Sequence, residues 1–581
     1  MFRPFRRPSS TRDIAPDEIF LDSSNLPDME ASQFEGRVER PVSRRAIFGI
    51  AALFLMIISI FSGRAFLLQV VKGTAYAHIS KDNTLESWPL FAERGLIFDR
   101  NGELLAWNEA PTATSTLSGE IASSTRIVEA ATVPYALRRY TSNPGFSVML
   151  GFLRYPRADA SGNWWRLEYT GASGVELAFG ERLMGKNGST MVERDARHRV
   201  IQQNITTPPR HGEDLHLSID ADVQTRLYQF LSEHARKNRF TGGAAVIMDV
   251  RTGELLAITT FPEYSNQAFT DGDSTAIRAA SSDSATPLLN RAVGGLYAPG
   301  SIVKPILATA ALNEGIISPD KHIQSIGAIT LPNPYNPDQP SIFRDWTVHG
   351  WVDMRTAIAV SSDEYFYTIG GGYGGQQGLG IARIDEYARR FGLGAVTGFA
   401  LGGEQAGTIP TPEWKLEVFG EDDPWRIGNT YHTAIGQFGF QITPLQAAVF
   451  AAAIANGGKL LTPQIIASST PKMTSVDIPD QYLQVVRDGM RMAVTSDRSD
   501  ATVKALNIPG IEIAGKTGTA QIGARNEWMN SWSVGFWPAD NPKYAYAVVL
   551  EKAPAGTLSG ASPGLNPFFY WLIAEKPEYV R

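Results

Sequence analysis

The stretch from Ala46 to Val71 constrains this chain before any other feature does, because it is apolar apart from a few small or polar residues and Arg64. At 1.5 Å rise per residue it makes a helix about 39 Å long, enough to cross a hydrocarbon core ~30 Å thick with some tilt. The cleaner run, Ala46 to Gly63, reaches only about 27 Å, so Arg64 is expected at the outer headgroup level with its guanidinium snorkelling to water. Arg37, Arg40, Arg44 and Arg45 cluster on the N-terminal side. Basic residues accumulate on the cytoplasmic side of membrane spans. The pattern therefore predicts a cytoplasmic tail over 1–45, a transmembrane helix over 46–71, and everything after about Gly73 outside. A cleaved signal peptide is the competing reading, since Ala75-Tyr76-Ala77 has the A-x-A form of a cleavage site. Cleaved signals have an apolar core of roughly 7–15 residues after a short basic start. Both parts are longer here, so a retained anchor is expected. The tail, rich in Pro, Ser, Asp and Arg, reads as mostly disordered.

A chain of 581 residues should hold more than one domain. With 43% hydrophobic and 19% charged residues, wholesale disorder is excluded. The formal net charge of -6 and the lack of a basic stripe with interleaved aromatics argue against nucleic-acid binding. Cysteine is absent, which removes disulfides, thiolate catalysis and Cys-ligated metals. From Gly73 to about Arg210 the pattern predicts an elongated, mainly β, non-catalytic module. Leu96, Ile97 and Phe98 run into Asn101-Gly102, a hairpin signal, and a helical stretch spans Val175–Leu183 and ends at Gly185. Pro208-Pro209-Arg210-His211-Gly212 punctuates the chain, giving domains 72–211 and 212–581. Beyond it, helices are expected over Asp222–Arg236, Met354–Val360, Leu445–Asn456 and Phe568–Glu575. Strands are expected over Ala244–Asp249, Leu255–Ile258, Ser531–Trp537 and Tyr544–Glu551. Gly370 to Gly375 reads as a flexible connector loop.

Three short segments then carry chemistry: Ser301-Ile302-Val303-Lys304, Ser361-Ser362-Asp363 and Lys516-Thr517-Gly518. None is informative alone. Ser318…Lys321, Ser469…Lys472 and Ser281-Ser282-Asp283 repeat the spacings in loop-like or unrelated sequence. Context separates them. Ala298-Pro299-Gly300 makes a tight turn and Ile302 to Leu312 has helical spacing, so Lys304 shares a face with Ser301 in a first helical turn. Free backbone N–H groups there favour developing negative charge. Ser361-Ser362-Asp363 follows one helical stretch and precedes the core-forming Tyr365-Phe366-Tyr367. Lys516 and Gly518 lie on a strand that another backbone could approach closely. Nucleophile, base, proton relay and cationic strand, in this order, equip a chain for acyl transfer through a serine ester.

On these motifs the chain resembles the class B penicillin-binding proteins, of the elongation type. The resemblance covers nearly everything after the apolar stretch. It includes Arg94-Gly95-Leu96-Ile97-Phe98-Asp99-Arg100-Asn101-Gly102, Ser173-Gly174-Val175-Glu176, Tyr297-Ala298-Pro299-Gly300-Ser301 and Gly436-Gln437…Thr443-Pro444-Leu445-Gln446. Pro412-Glu413-Trp414-Lys415 and the aspartate of S-x-D favour the elongation type over the division type, which usually has S-x-N. The resemblance implies an α+β, multidomain chain: a transmembrane helix, a pedestal, and a penicillin-recognising serine transpeptidase domain with an antiparallel sheet between helices. It implies peptidoglycan stem peptides as substrate, β-lactams as covalent inhibitors, and partnership with a RodA-type SEDS glycosyltransferase and other elongation-complex proteins.

The roles it implies are Ser301 as nucleophile, Lys304 as base with its ammonium destabilised by burial and by Lys516, and Ser361 as relay to the leaving nitrogen. Asp363 would position Ser361 and Lys304. Lys516, Thr517 and Thr519 would bind the terminal carboxylate, with Gly518 between them. The backbone N–H groups of Ser301 and Thr519 would form the oxyanion hole. A D,D-carboxypeptidase or β-lactamase, with water as acceptor, fits the same motifs, and so does a non-catalytic penicillin sensor. No cofactor is expected. Some relatives of this type bind zinc through Asp, His and a Cys inside the S-x-D motif. Here Asp345 and His349 are present but Ser362 takes the cysteine position, and serine is a poor zinc ligand.

Overall fold

A computed structural model describes residues 43–82, 85–110, 133–194, 200–333, 336–467 and 470–581. Most of the expected tail, with Arg37 and Arg40, and Ser469 of one decoy lie outside the described residues. The chain divides into two compact units. One is the N-terminal part through Glu86 together with Glu193–Gln202, and the other is Ser87–Val192 with Gln203–Arg581.

In the smaller unit, α1 (Arg44–Phe66) starts at Ser43, whose side chain accepts from the Ala46 N–H, and a wider turn over Leu67–Val71 continues it. None of its residues is buried. Arg44–Val71 is the one helix among the described residues long and apolar enough to cross a membrane.

In the larger unit, β1 (Ile97–Phe98), β2 (Leu104–Glu109), β3 (Leu137–Tyr140) and β4 (Leu215–His216) form a sheet in the order β4-β1-β2-β3. The expected hairpin is β1–β2, and Gly102 supplies the positive φ of its turn (+85°). The expected helix over Val175–Leu183 is two short pieces, Gly174–Ala178 and Gly180–Leu183. Gly180, a poor helix former, follows the break at Phe179. Glu176 is buried here with Arg94 at 2.5 Å and Arg138 at 2.8 Å.

The remainder contains α2 (Ala221–Lys237), β5 (Gly242–Asp249), β6 (Leu255–Phe261), α3 (Lys304–Asn313), α4 (Met354–Val360), α5 (Asp363–Gly371), α6 (Pro444–Ala455), α7 (Asp480–Thr495), β7 (Ala514–Ile522), β8 (Trp528–Trp537), β9 (Tyr544–Pro554) and α8 (Ala561–Glu575). The strands pair antiparallel in the order β6-β5-β9-β8-β7. Alternate residues of a strand point to opposite faces. Ala244, Val246 and Met248 of β5 join the core that contains α6, while Ala245 and Ile247 join the core of α2 and α8. With both faces covered, the strands read as continuous apolar runs. All 12 residues of α6 are buried, and Thr443 and Gln446 close its N-terminus as a reciprocal cap.

One expectation fails. Gly370 and Gly371 are not loop but the last turn of α5. A Cβ on Gly370 would lie 2.6 Å from Ala434 Cβ, and one on Gly371 would lie 2.4 Å from the Tyr431 ring. These glycines let the helix Ile427–Ala434 pack close; they do not confer flexibility. The loop begins at Gly372.

Candidate active site

Ser301 lies in a single 3₁₀ turn, Gly300–Val303, that runs straight into α3 at Lys304. The turn is tighter than the α-helical one expected, yet i and i+3 still share a face. Gly300 takes φ +55°. A Cβ there would meet Thr519 O at 2.8 Å and Thr519 N at 3.4 Å, and a Cβ on Gly518 would meet Pro299 O at 2.7 Å. The nucleophile turn and β7 therefore touch backbone to backbone, which is why the sequence carries glycine on both sides. Gly300 N–H donates to Gly436 O (3.0 Å) and Trp532 Nε1 to Ala298 O (3.0 Å), fixing the turn from behind.

The second segment is a sharp reversal between two helices. Ser361, at φ 58° and ψ 40°, ends α4 in the left-handed region. Ser362 then caps α5 by accepting from the Tyr365 N–H, and Asp363 occupies the first turn, where a carboxylate is favoured. The reversal presents the Ser361 side chain between two lysines. Lys304 and Lys516 are both 0% exposed. Lys304 Nζ donates to Ser361 O (2.7 Å), Ser361 Oγ (3.3 Å) and Asp363 Oδ1 (2.6 Å). Lys516 Nζ donates to Ser361 Oγ (2.7 Å) and Thr517 O (2.9 Å). Ser301 Oγ, partly buried beside them in sequence, makes no hydrogen bond among the described residues. Along β7, Lys516 and Gly518 are buried, Thr517 is partly buried and Thr519 is exposed.

Lys304 holds an ion pair with Asp363, and the proton affinity of Lys516 is depressed. Burial, then the like charge of Lys304, push Lys516 well below the ordinary lysine range, with Asp363 pulling the other way. Lys516 has no carboxylate in contact with it, so Asp363 offsets only part of the cost of desolvation.

Asp345, His349 and Ser362 do lie together, but they are arranged as hydrogen-bond partners. Ser362 Oγ donates to Asp345 Oδ2 (2.7 Å) while accepting from Tyr365 N–H (3.2 Å), so its proton and one of its two lone pairs are engaged. His349 Nδ1 faces Asp500 Oδ2 at 2.7 Å and Nε2 faces Asp345 Oδ1 at 3.4 Å. His349 Nε2 is buried without a hydrogen-bond partner, but the residue in the expected cysteine position offers only the Ser362 hydroxyl, a poor zinc ligand. Burial works against charge at His349, yet the carboxylates of Asp345 and Asp500 raise its pKa above the usual histidine range. Burial alone would raise Asp345, but the His349 contact, the Glu364 N–H and the Lys304 charge hold it at about 2.

Some residues escaped the sequence reading. Asp500 belongs to no motif and lies 151 positions from His349. Trp346 donates Nε1 to Val360 O (3.2 Å) next to Ser361 and remains 53% exposed, a ring held rigidly beside the site. Burial lowers the pKa of His432, partly opposed by the charge of Asp363. No local signal marked any of the three.

Comparison with known proteins agrees with this geometry. The family described as "Penicillin binding protein transpeptidase domain" matches residues 243–570, and "Penicillin-binding Protein dimerisation domain" matches 122–217. Peptidoglycan D,D-transpeptidase MrdA of Acinetobacter baumannii is 30% identical over 94% of this chain and 90% of its own length. The crystal structure of Pseudomonas aeruginosa PBP2 in complex with WCK 5153 superposes with a TM-score of 0.66 at 27% identity, covering 85% of this chain and 98% of that one. PBP2 of Helicobacter pylori, in complex with MreC, gives 0.68 at 26% identity over 85% of this chain and 100% of that one. The chain belongs to the penicillin-binding protein transpeptidase family, on its penicillin-binding protein 2 branch.

Proposed function

We infer that the chain is a peptidoglycan D,D-transpeptidase that crosslinks stem peptides through a Ser301 acyl-enzyme, in cell-wall elongation. The observation that carries this reading is the Ser361 hydroxyl, bonded to both Lys304 and Lys516, beside a nucleophile turn packed on β7. Ser301 Oγ attacks the carbonyl carbon between the last two D-alanines. The C–N bond breaks, D-alanine leaves with a proton, and an ester to Ser301 remains. An amine of a neighbouring stem attacks that ester, forming the crosslink and restoring the hydroxyl.

Lys304 is the base. Its Nζ lies 2.6 Å from Asp363 Oδ1 and 3.3 Å from Ser361 Oγ, so one amine touches both the orienting carboxylate and the relay hydroxyl. Ser361 relays the proton toward the leaving nitrogen. The substrate carboxylate docks at Lys516 with the hydroxyls of Thr517 and Thr519. An arriving negative charge favours the Lys516 ammonium and so restores the proton affinity that burial removes. The N–H groups of Ser301 and Thr519 bind the developing oxyanion, and losing one such donor typically costs about 10²–10³ in rate. A β-lactam traps the ester because its leaving nitrogen stays tethered.

The apolar helix anchors the protein with its N-terminus cytoplasmic and the catalytic domain outside. The pedestal, 72–211, carries the transpeptidase domain, 212–581. Its partners are a RodA-type glycosyltransferase and elongation-complex proteins of the kind represented by the MreC complex of the Helicobacter pylori relative.

Intact-mass analysis with a β-lactam should give one adduct, mapping to Ser301, and none in Ser301→Ala. An adduct on another residue ends the assignment. On purified peptidoglycan, crosslinked dimers are the expected product. Free D-alanine without dimers would favour carboxypeptidase instead.

A further inference from the structure

The Ser301 turn is held from behind at two points by one strip of chain. Gly300 N–H donates to Gly436 O (3.0 Å), and Tyr297 and Ile442 exchange both backbone hydrogen bonds (3.0 Å each). The strip starts at the end of the helix Ile427–Ala434, where Gly436 N–H donates to Thr433 O (3.0 Å) and Gln437 N–H to His432 O (2.9 Å). It ends where Gln441 pairs with Thr408 and Ile442 with Tyr297. Phe438 and Gly439 lie between these anchors, and both take positive φ, +61° and +80°. Glycine accounts for the second. The first is not the choice of a phenylalanine, because a Cβ crowds the backbone in the left-handed region, and such residues persist only where their surroundings force them.

Those surroundings are three aromatic rings and a buried ammonium. The Phe438 ring is met edge-on by Trp414 (5.9 Å between centroids) and Trp425 (5.7 Å), and it stacks with Phe419 at 6.3 Å. Aromatic pairs of this kind stabilise beyond the area they bury. Lys415, 2% exposed, places Nζ 5.7 Å from the centroid of the same ring. That ammonium is fixed in turn by Asp423 Oδ1 (3.0 Å), Pro424 O (2.9 Å) and Asn429 Oδ1 (3.1 Å). Trp414 also closes over Gly439, where a Cβ would lie 2.3 Å from its ring. Returning Phe438 to negative φ would pull its ring out of this box.

We propose that Phe438 is a positioning residue for Ser301: the aromatic box pins its backbone in the left-handed region, and that conformation spaces the Gly436 and Ile442 anchors on which the nucleophile turn rests. It acts through Gly300 and Tyr297 on the placement of Ser301 Oγ. Misplacing a reacting atom by about 1 Å can cost about 10²-fold in rate. The backbone at 438 is what matters, and the ring is the means of holding it there. Glycine reaches the same conformation without a box, whereas alanine does not, so the two truncations should behave differently. The proposal rests on the Ser301 acyl-enzyme reading.

The test uses the detergent-solubilised full chain and a fluorescent penicillin, separating the noncovalent dissociation constant from the acylation rate constant. Phe438→Ala should acylate about 10- to 10²-fold slower. Its dissociation constant should stay within about twofold of the parent, because the box is not part of β7. Phe438→Gly, which loses the ring as well, should recover to within about threefold of the parent. Phe438→Ala acylating like the parent overturns the proposal. So does Phe438→Gly as slow as Phe438→Ala, since the packing of the ring and not the backbone would then be what counts. Trp414→Leu decides the matter if Phe438→Ala fails to fold. Alone it should slow acylation about tenfold, and in the Phe438→Gly background it should cost less than about twofold more. Equal losses in both backgrounds overturn the proposal. Hydrogen exchange of peptides covering 295–303 reads the turn without penicillin. It should quicken in Phe438→Ala and Trp414→Leu and return to the parent's rate in Phe438→Gly, and unchanged exchange in the first two overturns the proposal. A parent with no adduct at Ser301 ends the functional reading, while hydrogen exchange still decides whether Phe438 holds the turn.

Discussion

Lys516 shows how a residue can be essential to chemistry and a burden to the fold. It is wholly buried, it has no carboxylate partner, and Lys304 stands nearby with the same charge. Its folded pKa therefore lies below the unfolded value near 10.4. Between those two values the unfolded chain binds more protons than the native one, so stability contributed by this group rises with pH across that window. Below the folded value the cost is at its full extent. Lys516→Met, of similar length and without charge, should therefore melt higher than the parent at pH 7, and the gap should close as pH approaches 10.5. Penicillin acylation should drop about 10²–10³-fold, as for loss of one charge-stabilising group. Differential scanning fluorimetry across pH 7–10 checks the first part, and a variant less stable than the parent at pH 7 would refute it. The identity of Lys516, Lys304 and Ser361 was legible in the sequence because motif spacing records chemistry. The depressed proton affinity of Lys516 was not legible, because it depends on complete burial beside Lys304, which no spacing encodes.

At the scale of elements, the site is a meeting of three backbones, and glycine is what lets them meet. Gly518 has no unusual φ, so its role is purely spatial. A Cβ there would lie 2.7 Å from Pro299 O and 2.9 Å from Ile302 Cγ2. Gly518→Ala should push β7 off the Gly300–Val303 turn, costing about 1–3 kcal/mol as overpacking does. Acylation should fall at least about tenfold, because the Ser301 turn would no longer rest on β7. Chemical denaturation together with labelled penicillin measures both, and wild-type acylation in a destabilised variant would show that the contact is structural only. The same reasoning explains what the sequence hid. Gly370 and Gly371 looked like loop because glycine breaks isolated helices. Tertiary packing overrode that preference, since Ala434 and Tyr431 need the space a Cβ would fill. Helix α2 was legible from the period of its buried face, and α6 and the central strands as apolar runs of different length bounded by turn and cap residues.

For the whole molecule, the N-terminal apolar helix stands out from the rest of the chain in its burial. No residue of Arg44–Phe66 is buried, whereas the two large cores draw on residues from Ile97 to Val580. Apolar area removed from water stabilises at roughly 25 cal/mol per Å², so a helix that buries nothing within the protein adds nothing of this kind to its core. Its length and apolar surface suit a membrane span. Nor does it contribute to the ladder β6-β5-β9-β8-β7 that carries Lys516. Deleting residues 1–72 should therefore move the protein from the membrane fraction to the soluble fraction. The acylation rate with a soluble β-lactam should stay within about threefold, and the melting temperature within a few degrees. Crosslinking in cells should be lost nonetheless, because the catalytic domain is then no longer tethered by the apolar helix. Fractionation, thermal melts and a complementation assay test the three parts. A truncated chain that aggregates or acylates more than about tenfold slower would mean that the helix supports the catalytic fold, contrary to its complete exposure.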